Sequence, residues 1–376
     1  MNRGFPEAEF AARVERAQTR MAQVGLGALL LTSEPDVRYF TGFLTRFWES
    51  PSRPWFLVVP ASGKPVAVIP SIGAALMSTT WIDDIRTWSA PQPEDDGVTL
   101  LSETLREVGG PVGVPSGYET LLRMPLADFE RVKAASGLAF DGDHDIVADL
   151  RAVKSEAEIA KITEICAIAG RAFARMGEIA GEGIALSDVF RNFQRLLLEE
   201  GADWVPYISG GAGQGGYGDV ISPATEAPLR RGDVMMLDTG AVRDGYFCDY
   251  DRNFAIGEAS EAARAAHRHL IEATQAAFEM ARPGVRACDL WRVMADIVGG
   301  GEEAGRLGHG LGMQLTEGLS LTAQNQTVLQ PGMVITLEPG IEVRPGKIMV
   351  HEENIVITDD GPRAISPFAG PELVVI

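Results

Sequence analysis

Two short strand-like runs in this chain each finish on a carboxylate. Val234-Met235-Met236-Leu237 leads into Asp238, and Val334-Ile335-Thr336-Leu337 leads into Glu338, which Pro339 and Gly340 follow at once. Runs of this kind bounded by turn residues read as buried strands, so each delivers its acid to the margin of a core. Carboxylates held close in a partly dry pocket repel and raise one another's proton affinity, and such a group persists only with a cation or with shared protons. The fold must bring a counter-charge to these strand ends, and a divalent metal is the simpler remedy.

Three more segments fit the same demand. Asp249 lies 11 residues beyond Asp238, past Gly240 and the turn pair Asp244-Gly245, a spacing that predicts a hairpin with two acids facing one another. His309 stands in Gly308-His309-Gly310-Leu311-Gly312, where the glycines permit close backbone approach and leave the imidazole accessible. The strand-like run Met349 to Ile357 carries Glu352 and Glu353 side by side. Strand side chains alternate faces, so Glu352 is assigned inward and Glu353 to the surface or to a supporting contact behind the ligands. Four carboxylates and a neutral imidazole carry about −4, which two divalent ions neutralise; the oxygen-rich set favours Mn2+, with Co2+, Fe2+ or Zn2+ as alternatives. Each of these residues taken singly reads more readily as a solvated group, a turn residue or a satisfied core partner than as a functional one. Their joint placement at strand ends is what points to a metal.

The rest of the chain bounds the setting. With 376 residues, two domains are expected. Phe10, Val14, Ala17 and Met21 keep helical spacing, and the strands Ala28–Leu31, Trp55–Val59 and Val66–Ile69 follow. Helices at about 98–108 and 121–134 flank a strand at Val112–Val114, giving an α/β first domain over 1–152. Ser155 and Glu158 have the spacing of a capping box ahead of a long helix, which opens the second domain, 153–376. The 33 basic against 52 acidic residues, a net charge of −19, disfavour nucleic acid as a partner. The apolar runs are shorter than the about 20 residues a membrane helix needs, and no signal-peptide core opens the chain, so a cytoplasmic protein with no membrane partner is expected. Cys166, Cys248 and Cys288 match neither a disulfide framework nor zinc-finger spacing.

Together these segments resemble the pita-bread metallopeptidase family, which includes methionine aminopeptidases, aminopeptidase P, prolidases and the metal-free creatinases. The resemblance to its longer members covers most of the chain. It rests on Leu237-Asp238-Thr239-Gly240-Ala241, Asp244-Gly245-Tyr246, Asp249 with Arg252, His309, Glu338-Pro339-Gly340 and Glu352. It implies an α/β creatinase-like N-terminal domain, an α+β pita-bread catalytic domain, and metal ligands at Asp238, Asp249, His309, Glu338 and Glu352. It also implies a homodimer and a metal-dependent hydrolase of the Xaa-Pro aminopeptidase or dipeptidase kind, acting on a small peptide or amide. The complete ligand set argues against a metal-free creatinase.

Two departures stand out. Proline-specific members place a histidine 17 residues before the first aspartate and another seven residues after the ligand histidine; this chain has Ile221 and Thr316 there. Thr316 can donate a hydrogen bond but not titrate near neutrality, and Glu317 can accept a proton, so Glu338, Glu317 and Thr316 are the candidate catalytic residues. The alternative that these departures support is a non-peptidase hydrolase or a lyase acting on a small metabolite such as an ectoine-like amidine.

Other motifs weigh less. Gly211-Ala212-Gly213-Gln214-Gly215-Gly216 has the glycine spacing of a dinucleotide fingerprint without a following helix, and is expected to be a loop, either a wall of the substrate pocket or a structural turn. Phe47-Trp48 reads as a small aromatic cluster in preference to a substrate lid. Cys248 is a nucleophile candidate without a local base.

Overall fold

The computed structural model describes residues 3–50, 54–301 and 304–376. The chain divides into two compact units, Met1–Arg151 and Ala152–Ile376.

In the first unit the elements run α1 (Glu7–Val24), β1 (Ala28–Leu31), α2 (Glu34–Thr41), β2 (Phe56–Pro60), β3 (Val66–Pro70), α3 (Ala74–Met77), β4 (Asp84–Trp88), α4 (Val98–Val108), β5 (Val112–Val114), α5 (Leu126–Ser136), β6 (Phe140–Gly142) and α6 (Ile146–Ala152). The six strands form one mixed sheet in the order β4-β3-β2-β1-β5-β6. Helix α1 buries Phe10, Val14, Ala17 and Met21, the face its spacing predicts. Gly25 ends it in the left-handed conformation that favours glycine. Trp48 is buried 5.8 Å from the Trp55 ring, so the Phe47-Trp48 segment is an aromatic cluster. The adjoining residues 51–53 lie outside the described set.

The second unit continues with α7 (Glu156–Ala174), α8 (Leu186–Glu200), β7 (Trp204–Gln214), β8 (Asp233–Arg243), β9 (Tyr246–Phe247), β10 (Tyr250–Ala255), α9 (Glu261–Met280), α10 (Ala287–Val298), β11 (Val334–Leu337), β12 (Gly340–Arg344), β13 (Lys347–Val350), β14 (Glu353–Thr358), β15 (Gly361–Ala364) and β16 (Val374–Val375). One sheet runs β16-β10-β8-β7 with β9 hairpinned onto β8; β11-β14-β15 form a second and β12-β13 a third. Helix α9 lays small buried residues, Ala263, Ala266, Ala273 and Ala277, onto β11, β12, β13 and β15, which lets its backbone sit close to the strands. Among the described residues no helix is long and apolar enough to cross a membrane.

The capping box at Ser155 and Glu158 is formed in both directions. Glu158 Oε1 also accepts a hydrogen bond of 2.9 Å from the Tyr246 hydroxyl, and Lys161 pairs with Asp244. Helix α7 thereby grips the turn between β8 and β9, whose Asp244 and Gly245 both have positive φ (50° and 81°), the backbone of a tight hairpin.

The glycine-rich stretch departs from the loop expected for it. Gly211, Ala212, Gly213 and Gln214 belong to β7 and pair with Met236, Met235, Val234 and Asp233 of β8; only Gly215 and Gly216 turn. The glycines serve close backbone contact, since a Cβ on Gly210 would strike the Met236 carbonyl.

Gly308 has the same role beside His309. Its φ is +140°, and a Cβ there would strike the Thr336 carbonyl and lie 2.9 Å from Leu321. Gly308→Ala is expected to cost at least about 2 kcal/mol in urea unfolding, through backbone strain and overpacking together. Gly177→Ala, with nothing within 4 Å of the added methyl, should change stability by less than about 1 kcal/mol. Equal effects at the two positions would refute the close-approach account.

Candidate metal centre

The first acid is delivered from the middle of β8. Asp238 is 9% exposed, and its neighbours across β7 and β10 are Ser209 and Asp251. The hairpin carries the chain back to Asp249, just before β10, where the Asn354 side chain accepts from the Asp249 amide at 3.0 Å and donates to its carbonyl. Asp249 is thus locked by its backbone, which leaves its carboxylate for other work.

His309 runs beside β11: its amide donates to Thr336 Oγ1 (3.1 Å) and its carbonyl accepts from the Thr336 amide (2.7 Å). A Cβ on Gly310 would strike the Glu317 carbonyl, so the glycines flanking His309 are there for close packing. Imidazole Nδ1 lies 3.0 Å from the Gly310 carbonyl, an acceptor that requires Nδ1 to carry the proton. Nε2 then presents its lone pair 3.3 Å from Asp249 Oδ2 and 3.9 Å from Glu352 Oε1. A lone pair facing two carboxylate oxygens suits an intervening cation, with the Gly310 carbonyl fixing the tautomer behind it.

Ligand atoms of Asp249, His309 and Glu352, all three buried, lie within 4.8 Å of one another. Asp238 Oδ1, Asp249 Oδ1 and Glu352 Oε1 are buried without any hydrogen-bond donor. Burial first, and the neighbouring acids second, push the carboxyls of Asp238, Asp249 and Glu352 well above the usual range. Glu338, partly exposed at the end of β11, is raised by burial as well, while His309 and Arg306 oppose the shift. Orphaned, mutually repelling oxygens around an imidazole lone pair are the donor set a divalent cation needs.

The remaining candidates lie differently. Glu317 is buried, but Oε1 pairs with Lys154 at 2.8 Å and Oε2 accepts from the Gln314 amide. Thr316 is half-buried in the same loop, and Ile221 is 86% exposed. Glu353 takes the second of the two places expected for it: it is fully buried behind the ligands, where Arg252 (3.1 Å), His351 (3.3 Å) and Ser366 surround its carboxylate. Burial would raise its carboxyl, and these partners outweigh burial and hold it below the usual range. Cys248 is buried, and burial with the Asp249 charge raises its thiol far from thiolate formation, which removes it as a nucleophile.

Two further residues lie near the acids. Tyr207 of β7 lies on the face of Asp238, and burial with the Asp238 charge raises its phenol. Asp251 stands opposite Asp238. Strand alternation from Asp249 and from Ser209 is the signal that would have found them.

The raised carboxyls set the sign of a pH effect. In metal-free protein the stability these acids keep while protonated, below their unfolded values of about 4, is lost as pH rises through the higher folded values. A bound cation requires the ionised forms, so its stabilisation grows over the same range. The melting-temperature gap between metal-loaded and chelator-treated protein should widen from about pH 5 to about pH 8. A gap that is constant or narrows with pH would contradict this electrostatic picture.

Comparison with known proteins agrees with the geometry. Residues 160–360 match the model of metallopeptidase family M24, and residues 13–153 match the creatinase/prolidase N-terminal domain. The chain is 31% identical to a probable dipeptidase PepE of Mycobacterium tuberculosis, covering 97% of this chain and 96% of that protein. It is 30% identical to an Xaa-Pro dipeptidase of Pyrococcus horikoshii, covering 94% and 96%. The crystal structure of dipeptidase PepE from Mycobacterium ulcerans superposes with a TM-score of 0.84 at 27% identity, over 99% of each chain. With its creatinase-like N-terminal domain and pita-bread catalytic domain, this chain belongs to metallopeptidase family M24 and is a metal-dependent hydrolase.

Proposed function

We propose that the chain hydrolyses small peptides, using two divalent cations, Mn2+ in the first instance, held by Asp238, Asp249, His309, Glu338 and Glu352. The observation that carries this is the buried Asp249, His309 and Glu352 group with its donorless oxygens. When bound, such cations acidify water and stabilise charge developing on a carbonyl oxygen. The chain's own residues hold that chemistry: the Gly310 carbonyl keeps the His309 lone pair inward, and Asn354 fixes Asp249.

Glu338 is proposed to take up and return the water's proton, because it is the partly exposed acid of the set. Glu338→Gln keeps the volume and removes the charge. It should lower kcat/KM by about 10²-fold or more while leaving the fold intact by circular dichroism. A full-rate variant with its metal bound would remove Glu338 from the reaction.

Both relatives quoted above are dipeptidases by name, one of them specific for Xaa-Pro, and they support a dipeptide-sized substrate. Ile221 and Thr316 temper the proline preference. The solvent-facing Ile221 and the non-titrating Thr316 cannot transfer protons, and Glu317 is engaged by Lys154. Ordinary Xaa-Pro dipeptides are therefore expected to be turned over at least about 10²-fold below the diffusion-approaching rates of efficient enzymes. This favours, as a second reading, a small non-peptide amide or an ectoine-like amidine as the better substrate. A matched kcat/KM comparison of an Xaa-Pro panel with small cyclic amides and amidines, on one manganese-loaded preparation, decides between them. Fast Xaa-Pro turnover with inert amidines would establish the conventional peptidase and void the weight placed on Ile221 and Thr316. The proposal extends to a homodimer, which the family resemblance supports, and to a reducing cytoplasmic setting, which three unpaired buried cysteines support.

A further inference from the structure

We infer that Asp251 is a positioning residue of the metal centre, holding Glu352 in place for the cation through a chain of buried contacts that runs Glu352, Asp251, His351, Glu353, Arg252. The inference rests on the metal site proposed above and adds to it a fifth acid, outside the ligand set.

Three observations converge. The first is placement: Asp251 pairs directly with Asp238 across β10 and β8, and lies two residues from Asp249, so strand alternation puts all three acids on one face. Like charges directly opposite in a sheet are destabilising, and this pair is almost wholly buried. The second is an unmet need: Asp251 is 1% exposed and Oδ2 has no donor. An acid whose only task was to anchor a backbone amide would be served equally well by a neutral asparagine, without a desolvated charge beside Asp238. The third is connectivity. Asp251 Oδ1 accepts from the Glu352 amide at 3.1 Å and meets His351 Nδ1 at 3.2 Å.

The chain then runs outward. His351 Nε2 lies 3.3 Å from Glu353 Oε1, which also accepts from the Ala369 amide at 2.7 Å. Glu353 Oε2 accepts from Arg252 at 3.1 Å and from Ser366 at 2.5 Å. Both sequence neighbours of Glu352 are therefore tied down, and its own amide is held by β10, the strand that Asp249 immediately precedes. The Glu352 backbone has little freedom, and its carboxylate is presented to Asp249 and His309 from a fixed base. Partners of this kind behind a metal ligand typically contribute 10- to 100-fold in metal affinity.

The test uses the full chain and manganese alone. Mn2+ affinity is measured by chelator competition, and melting temperature is measured on metal-free protein, for wild type, Asp251→Asn, His351→Gln and Tyr217→Phe. Asp251→Asn should weaken Mn2+ binding by about 10- to 100-fold while the metal-free protein melts at the same or a higher temperature, because a charge opposite Asp238 has gone. His351→Gln, one contact further out, should weaken binding in the same direction, and it keeps the test open if Asp251→Asn does not fold. Tyr217→Phe is the control: its hydroxyl accepts from Val350 and donates to Asn253, bridging β13 and β10 without touching Asp251 or Glu352. It should lower the melting temperature and leave Mn2+ affinity unchanged. Wild-type affinity in Asp251→Asn overturns the inference and leaves the metal site standing, as does an equal loss of affinity in Tyr217→Phe. A wild-type chain that binds no Mn2+ overturns the metal site itself.

Discussion

The second unit is organised around a repulsion. Asp238, Asp249, Asp251 and Glu352 are buried on neighbouring strands, and each has an oxygen without a donor. Desolvating charged oxygens without partners is costly, and the cost multiplies when they face one another. No packing of aliphatic side chains removes that penalty; only a cation or shared protons does. The donor set, Asp238, Asp249 and Glu352 with the His309 lone pair and the nearby Glu338, has the oxygen-rich composition of a divalent-metal site.

Much of the surrounding architecture reads as restraint on those acids. Helix α7 grips the β8–β9 turn through Glu158 and Lys161, which sets the offset between Asp238 and Asp249. Asn354 holds the Asp249 backbone, Thr336 the His309 backbone, and Asp251 the Glu352 amide. Glycines at 210, 308 and 310 let backbones approach where a methyl would collide. These restraints act on the ligands' backbones, so the charged faces of the side chains are left over for the ions.

The ligand segments were legible in the sequence because each couples an apolar run to an acid or a glycine-flanked histidine, a pattern local enough to see without the fold. The Asp244-Gly245 turn and the Ser155 cap are local in the same way. What escaped depends on register. Asp251 and Tyr207 gain meaning only when β8 is placed between β7 and β10, and the choice between the two places expected for Glu353 is made only when Arg252 and Ser366 arrive from distant segments. Gly211 to Gln214 has the composition of a loop, yet the demand is for close contact with β8, a tertiary constraint that overrides composition. Strands β4 and β6 carry little sequence signal because they close the two edges of their sheet with half-buried or exposed side chains and little apolar alternation.

The central claim is that the buried acids exist to hold ions. Elemental analysis of protein replenished with manganese, joined to anomalous diffraction at the manganese edge, measures this directly. The account predicts two divalent ions per chain, both within reach of Asp238, Asp249, His309, Glu338 and Glu352. A well-folded, replenished protein with no ion among those residues would contradict it.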